Sequence, residues 1–271
     1  FFIKTFKPIF SEILDVLNEE LGTTEFHLST DEKSAKSEND KSIIQTSKQY
    51  KNILSFSEHN LRYESRLDLG HKTSFFCDQR ENRKFLAEQI KSQSQTKDNL
   101  EVLDVCCYTG GFSINAAKSG AKKVLGIDLD ENAIQAAKRN ANLNQLKNIT
   151  FKHADAFSYL RTLQKNQKQF DWIILDPPKF IQSRREFENG KAKYHDLNKL
   201  AFPLVKPGGH IVSFSCSALF SDNDLRDIIR RAARTRKIRI IKESGPGTDH
   251  PVRIDFPEGR YLKAIWMKLD D

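Results

Sequence analysis

The strongest constraint on this chain is an alternation that begins near residue 100. Short apolar runs, EVLDVC, KKVLGID, ITFKH, FDWIILD and HIVSFS, alternate with segments of helical spacing: FSINAAKS, ENAIQAAKRNANLN, AFSYLRTLQ and a region ending AFPLV. Strands that are apolar along their whole length need cover on both faces, and intervening helices supply it. The pattern implies an α/β fold with a mainly parallel sheet. Right-handed crossovers place the C-terminal strand ends along one edge, where open sheets of this kind bind ligands. The last apolar run, RYLKAIWMKL, follows IRIIKES with no helix-length insert, so it is free to run antiparallel.

The preceding part reads differently. Ile9, Phe10, Ile13, Leu14, Leu17 and Leu21 recur at helical spacing, and Gly22 is a stop signal. TEFHLS is strand-like, and TDEKSAKSENDKS is too polar to pack. NILSF and LRYESRLDL form a hairpin-like pair around Ser57-Glu58-His59-Asn60, where Asn60 tolerates the left-handed turn conformation. Asp78 reads as a helix cap, with Glu81 completing a capping box before Phe85, Leu86 and Ile90. SQSQTKDN (92–99) is a polar linker. The expected organisation is therefore a small α+β domain at 1–97, with a linker at 31–48 and a hairpin at 53–77, followed by the α/β domain at 98–271.

The formal charge of +8 and pI near 9.2 favour a polyanionic partner, nucleic acid first. No apolar run approaches the roughly 18 residues of a membrane span. The cysteines, Cys77, Cys106, Cys107 and Cys216, form neither a disulfide framework nor a zinc pattern. A reducing cytoplasm and no bound metal are the expectation. FFIKTFKPIF lacks an initiator Met and a signal-peptide layout, so the chain reads as a fragment or a processed product.

EVLDVCCYTGGFS is a strand, a Gly-containing turn and a helix start. Gly110 and Gly111 allow a ligand close to the backbone. Asp128 ends the next strand, where an acid can bind a ribose diol. Asp104, inside the first strand, would repel a pyrophosphate but suits a cationic, amino-bearing ligand. S-adenosylmethionine fits that electrostatics better than a dinucleotide does. Asp155, in HADAF, could reach an adenine edge or simply cap the helix AFSYL.

FDWIILDPPKF runs a strand into a rigid turn, because two prolines lock φ and remove two donors. Asp176 is thereby fixed where a planar base could be held. Cys216 ends the following strand, so it belongs beside Asp176. A thiolate there could add to carbon 6 of a pyrimidine and make carbon 5 nucleophilic. Lys179 is a candidate for lowering the thiol pKa. The alternative is a small buried hydrophobe, and Cys106 and Cys107 are rivals on the same edge.

Taken in order, GHKTSFFCDQRENR, VLDVCCYTGGFS, DPPKF, SFSCS and DHPVRIDFPEGRYLK resemble the bacterial large-subunit ribosomal RNA cytosine-5 methyltransferases. The resemblance covers about residues 50–271. It implies a Rossmann-like class I methyltransferase with a seven-stranded sheet, an S-adenosylmethionine cofactor, ribosomal RNA as partner, and Cys216 as nucleophile with Asp176 on the base. It implies that Asp104, Tyr108, Gly110, Gly111, Asp128 and Asp155 surround the cofactor. A hairpin carrying Lys72, Thr73, Phe75, Phe76, Gln79 and Arg83 would fold over them. Ser74 stands where the family commonly has Gly, and Cys77 where it commonly has an aliphatic residue. The family's usual N-terminal PUA domain is not in the sequence, and residues 1–52 look like a shortened central domain.

For RNA contact the candidates are Arg184, Arg185, Lys191 and Lys193, read as flexible basic loops after DPPKF, and a helical stripe of Arg226, Arg230 and Arg234. His250 could be a base or a structural hydrogen-bonder. A homodimer is compatible with the sequence. Rival readings are methylation of an amino or ring nitrogen, and a non-catalytic RNA-binding protein.

Overall fold

The computed structural model describes residues 7–29, 44–47, 53–66, 75–256 and 259–270. The chain divides into two compact units, Phe1–Ile53 and Leu54–Asp271. In the first, helix α1 (Phe10–Leu21) ends at Gly22, whose φ of 63° is left-handed and whose N–H donates to Asn18 O. None of the α1 side chains is buried. Strand β1 (His27–Ser29) pairs antiparallel with β2 (Ile44–Thr46).

From Leu54 the second unit carries all but the first residue of a hairpin, β3 (Ile53–Glu58) and β4 (Leu61–Arg66), turned at His59 and Asn60, whose φ values are 49° and 63°. Two positive φ angles in a two-residue loop match the strand twist. Leu61, Tyr63 and Ser65 alternate inward. Helix α2 (Arg80–Ser94) buries Leu86 and Ile90. They pack with Leu100, Val102 and Trp172 of the sheet domain. The compact division falls after Ile53, the first residue of β3, and the expected boundary at 97/98 lies within the second unit. The expected linker 31–48 lies mostly outside the described residues.

Then the anticipated alternation unfolds: β5 (Glu101–Val105), α3 (Gly111–Lys118), β6 (Lys123–Asp128), α4 (Glu131–Leu143), β7 (Ile149–His153), α5 (Ala156–Lys165), β8 (Phe170–Leu175), α6 (Phe187–Ala201), β9 (Val205–Ser215), α7 (Asp222–Ala233), β10 (Ile238–Ser244) and β11 (Lys263–Leu269). The sheet order is β10-β11-β9-β8-β5-β6-β7. β11 alone runs antiparallel to its neighbours, β9 and β10. Every residue of β8 is buried, as a central strand covered on both faces requires. Its side chains alternate between two cores. Phe170, Ile173 and Leu175 join the one built with α5, α6 and α7, while Trp172 and Ile174 join the one under α2 and α3.

The crossovers from β5 and from β8 lead in opposite directions along the sheet. The gap between these two strand ends is therefore the topological switch point, where such sheets bind ligands. The hairpin is tied to α4: Arg62 N donates to Asn144 Oδ1 at 2.9 Å and Glu64 N to Asn140 Oδ1 at 2.9 Å. Among the described residues no helix is long and apolar enough to cross a membrane.

Candidate active site

The loop between β5 and α3 is contorted. Cys106, Tyr108 and Gly110 have φ of 63°, 49° and 85°. A Cβ on Gly110 would lie 3.0 Å from Phe151 Cζ, and one on Gly111 would lie 3.1 Å from Arg83 Cδ. Gly110 is thus called for by its left-handed backbone, and both glycines by close protein packing. Asp104 is fully buried beneath this loop, and its Oδ2 accepts from Ser113 N at 2.9 Å and Ser113 Oγ at 2.6 Å. Its Oδ1 is buried with no partner among the described residues. Burial pushes the Asp104 carboxyl up to about 7, against the pull of Ser113.

Asp128 ends β6 and is occupied by backbone donors, Tyr108 N at 2.8 Å and Asp130 N at 2.9 Å. Burial raises its carboxyl above the usual range. Asp155 caps α5, accepting from Ser158 N at 2.9 Å. Phe76 is 37% exposed and lies 5.0 Å from the Tyr108 ring, an aromatic ledge beside the loop. Thr73 and Lys72 lie outside the described residues. Arg83 is committed elsewhere. It is buried, forms a bidentate pair with Glu58 at 2.6 Å, and donates to Phe76 O at 2.9 Å. It fastens the aromatic ledge to the hairpin, since one guanidinium holds both.

Asp176 follows β8, with its N–H donating to Val105 O at 3.2 Å. Its Oδ2 accepts from Gln79 Nε2 at 3.0 Å. Burial, then the neighbouring Asp104 and Asp78 carboxylates, push Asp176 up to about 8. Asp78 is no helix cap. Gln79 holds the N-cap position of α2 and makes no capping bond. The 3-10 turn Cys77–Gln79 frees Asp78 to accept from Tyr261 OH at 2.5 Å. Its expected partner, Glu81, accepts instead from Arg80 and from Thr248 Oγ1 at 3.1 Å.

Cys216 stands just past β9, partly buried, between two fully buried serines. Ser217 Oγ accepts from Ile181 N at 3.2 Å and is 3.0 Å from Tyr194 OH. Ser215 Oγ accepts from Ser217 N at 3.3 Å. Ser217 therefore ties the cysteine segment to the residue after the DPPKF turn and to α6, and Ser215 braces Ser217. Gly190 of α6 makes this tie possible, for a Cβ there would sit 2.6 Å from Phe180 O. Burial and then a ring of aspartates push the rival thiols of Cys106 and Cys107 well above their ordinary value, which favours their protonated forms. Lys179 is exposed, whereas Lys263, which the sequence reading passed over, is buried and donates to Ser217 O at 3.0 Å.

The basic candidates separate into two places. Arg184 and Arg185 form an exposed 3-10 turn leading into α6. Lys191 and Lys193 lie on α6 itself, so the expected flexible loops are a helix, its apolar residues Tyr194, Leu197 and Ala201 packed inward. Lys193 lies over the Phe180 ring and Lys191 faces Asp224 at 3.6 Å. Arg230 pairs with Asp227 at 2.8 Å on α7, and Arg226 with Glu243 at 2.6 Å. Arg234 terminates α7 with a φ of 57°. Because α7 runs back from the end of β9, Arg234 is carried to the opposite end of the sheet. His250, its side chain 40% exposed, faces Asp249 at 3.3 Å.

Residues 96–245 match the family model described as a methyltransferase domain. The chain is 40% identical over 203 residues to ribosomal RNA large subunit methyltransferase I of Aeromonas hydrophila, which covers 73% of this chain and 49% of that protein. Against the Salmonella typhi protein of the same name the values are 34% over 221 residues, 80% and 53%. The chain thus spans about half the length of the curated relatives it matches. Among solved structures, a putative SAM-dependent methyltransferase from Streptococcus mutans aligns with a TM-score of 0.81 at 21% identity, covering 97% of this chain and 66% of that one. A tRNA m1G37 methyltransferase from M. jannaschii aligns with a TM-score of 0.64 at 16% identity, covering 97% and 68%. At these identities the structural matches speak for the fold.

Proposed function

The chain belongs to the methyltransferase-domain family, and from that membership we propose that it is an S-adenosylmethionine-dependent RNA methyltransferase acting in the cytoplasm. Its product is 5-methylcytosine in large-subunit ribosomal RNA, formed through an adduct on Cys216. The observation that carries this reading is the bond from Ile181 N to Ser217 Oγ, which ties the segment of Cys216 to the chain just after the turn bearing Asp176, with Ser215 bracing Ser217, while burial and then nearby carboxylates keep the rival thiols protonated. The named relatives, ribosomal RNA large subunit methyltransferases, support the substrate class.

The residues fit the cofactor. The buried, unpartnered Asp104 Oδ1 suits an amino-bearing ligand, and the Phe76–Tyr108 ledge suits a flat ring. Asp104, Asp128, Asp155, Asp176, Gln79, Phe76 and Tyr108 would hold it. Arg83, Gly110 and Gly111 would shape the site from behind. When bound, S-adenosylmethionine supplies an electrophilic methyl group.

The chain's own contribution is covalent and positional. The Cys216 sulfur bonds to carbon 6 of cytosine, which gives carbon 5 enamine character. Asp176, protonated near neutral pH, can donate a hydrogen bond to the ring as that charge develops. After methyl transfer, loss of the carbon 5 proton and cleavage of the carbon–sulfur bond restore the base and the thiolate. The experiment is trapping with a 5-fluorocytosine ribosomal RNA fragment, in which carbon 5 has no proton to lose. A stable protein–RNA adduct is expected, absent in Cys216→Ala, which still binds the cofactor by calorimetry. Normal methylation by Cys216→Ala would overturn the covalent route and favour attack by a nucleobase nitrogen.

A further inference from the structure

Lys263 begins β11 and pairs in register with Ser215. It is 2% exposed, and its ammonium donates to Ser217 O at 3.0 Å. The residue is thus anchored on both sides of Cys216, by its backbone opposite Ser215 and by its ammonium on Ser217 O. A buried ammonium is expensive unless paired or well hydrogen-bonded, and a methionine of similar length would fill the same space without charge. The nearby carboxylates are engaged with other partners: Asp222 pairs with Arg260 at 3.2 Å, and Asp224 with Ser221 Oγ at 2.6 Å and with Lys191. No carboxylate among the described residues is bonded to Lys263.

Building on the proposed nucleophilic role of Cys216, we propose that Lys263 is the positioning residue for that thiol. Its ammonium is the counter-charge that holds the sulfur as a thiolate and keeps the strand end in line with it. The thiol proton leaves to solvent. The sulfur then forms its bond to carbon 6 and passes its negative charge to the ring. When that bond breaks, the charge returns to sulfur, and Lys263 keeps its protons throughout. The groups that face this pair are Asp222, Asp224 and Arg260 around the lysine, and the Tyr194 and Tyr261 hydroxyls around the thiol. Burial lowers the lysine's own pKa, while Asp222, Cys216 and Asp224 oppose that fall. Both tyrosines are raised above their ordinary value, so neither gains charge where the thiol titrates.

The test is the pH profile of iodoacetamide alkylation at Cys216, read by peptide mass spectrometry. The full chain is used in a Cys77→Ser background, which removes the exposed thiol. The native thiol should titrate below the ordinary value of about 8.5. Lys263→Met should raise that midpoint by about one unit or more, slowing alkylation at pH 7 about tenfold. Lys263→Arg should restore part of the loss. Superimposable profiles for native and Met proteins with matched melting would overturn the proposal. Should the Met variant fail to fold, a native midpoint at or above the ordinary value overturns it alone, and one well below it with a raised midpoint in Lys263→Arg supports it. The 5-fluorocytosine trap separates the two claims. A lysine-dependent titration with no native adduct removes the nucleophile reading only, and an adduct with a lysine-independent titration removes the role of Lys263 only.

Discussion

A carboxyl at the end of a buried strand is neutral in one pH range and anionic in the next, and Asp104 and Asp176 straddle neutrality at about 7 and about 8. In the unfolded chain both titrate near 4. Folded, they keep their protons to higher pH, so their contribution to stability is whole below about pH 4 and fades as pH rises toward about 8. The ligand-free protein should therefore lose stability between pH 5 and pH 8, by up to about 1.4 kcal/mol per pH unit for each group. Asp176→Asn should flatten that slope, as urea unfolding at pH 5, 6.5 and 8 would show; parallel curves for the two proteins would refute the assignment. A cationic cofactor favours the charged form of Asp104, so its affinity should rise as that carboxyl ionises toward pH 7. Asp104, Asp128, Asp155, Asp176 and Cys216 were legible because each stands at or near a strand end, where periodicity alone fixes the edge. Asp78, Tyr261, Lys263 and Glu58 were not, because their partners are remote in sequence. The pair of Tyr261 and Asp78 exists only once β11 inserts into the sheet.

At the scale of elements, the site depends on how closely α6 approaches the turn after β8. A methyl group at position 190 would lie 2.4 Å from Ile181 Cγ1 and 2.6 Å from Phe180 O. Alanine favours a helix over glycine by about 1 kcal/mol, but overpacking against backbone costs about 1–3 kcal/mol. The clash wins, since a carbonyl oxygen cannot rotate away as a side chain can. Gly190→Ala should lower stability by about 1 kcal/mol or more. It should also shift Phe180 and Ile181, loosen the Ile181–Ser217 bond, and slow adduct formation on 5-fluorocytosine RNA. A variant that melts higher and forms adduct at the native rate would show that α6 has room to spare. The strands and helices from residue 100 onward were readable from apolar spacing, and so was the antiparallel last strand. The helix α6 was readable only at its end: its first turns, FENGKAK, are polar and hold a glycine, and only the packing of Tyr194 and Leu197 declares them.

For the whole molecule, the formal charge of +8 predicts association with a polyanion without saying where it lies. The fold distinguishes two basic regions. Arg184 and Arg185 are exposed beside the DPPKF turn, at the edge that carries Asp176 and Cys216. Arg230 and Arg234 are separated from that edge by most of α7, whose 12 residues span about 18 Å, and Arg230 is already paired with Asp227. A single-stranded RNA whose target base reaches Cys216 must pass the first region and need not touch the second. Each phosphate neutralised adds about 0.7 to the slope of log affinity against log salt. Replacing Arg184 and Arg185 together with Gln should therefore reduce the slope by about 1.4 and weaken binding at low salt. The same change at Arg230 and Arg234 should leave the slope within about half a unit of the native value, because those charges lie off the path. Fluorescence anisotropy of a ribosomal RNA fragment across a salt series reads both, and the opposite ranking would place the RNA on the α7 face and require it to wrap around the sheet to reach the cysteine.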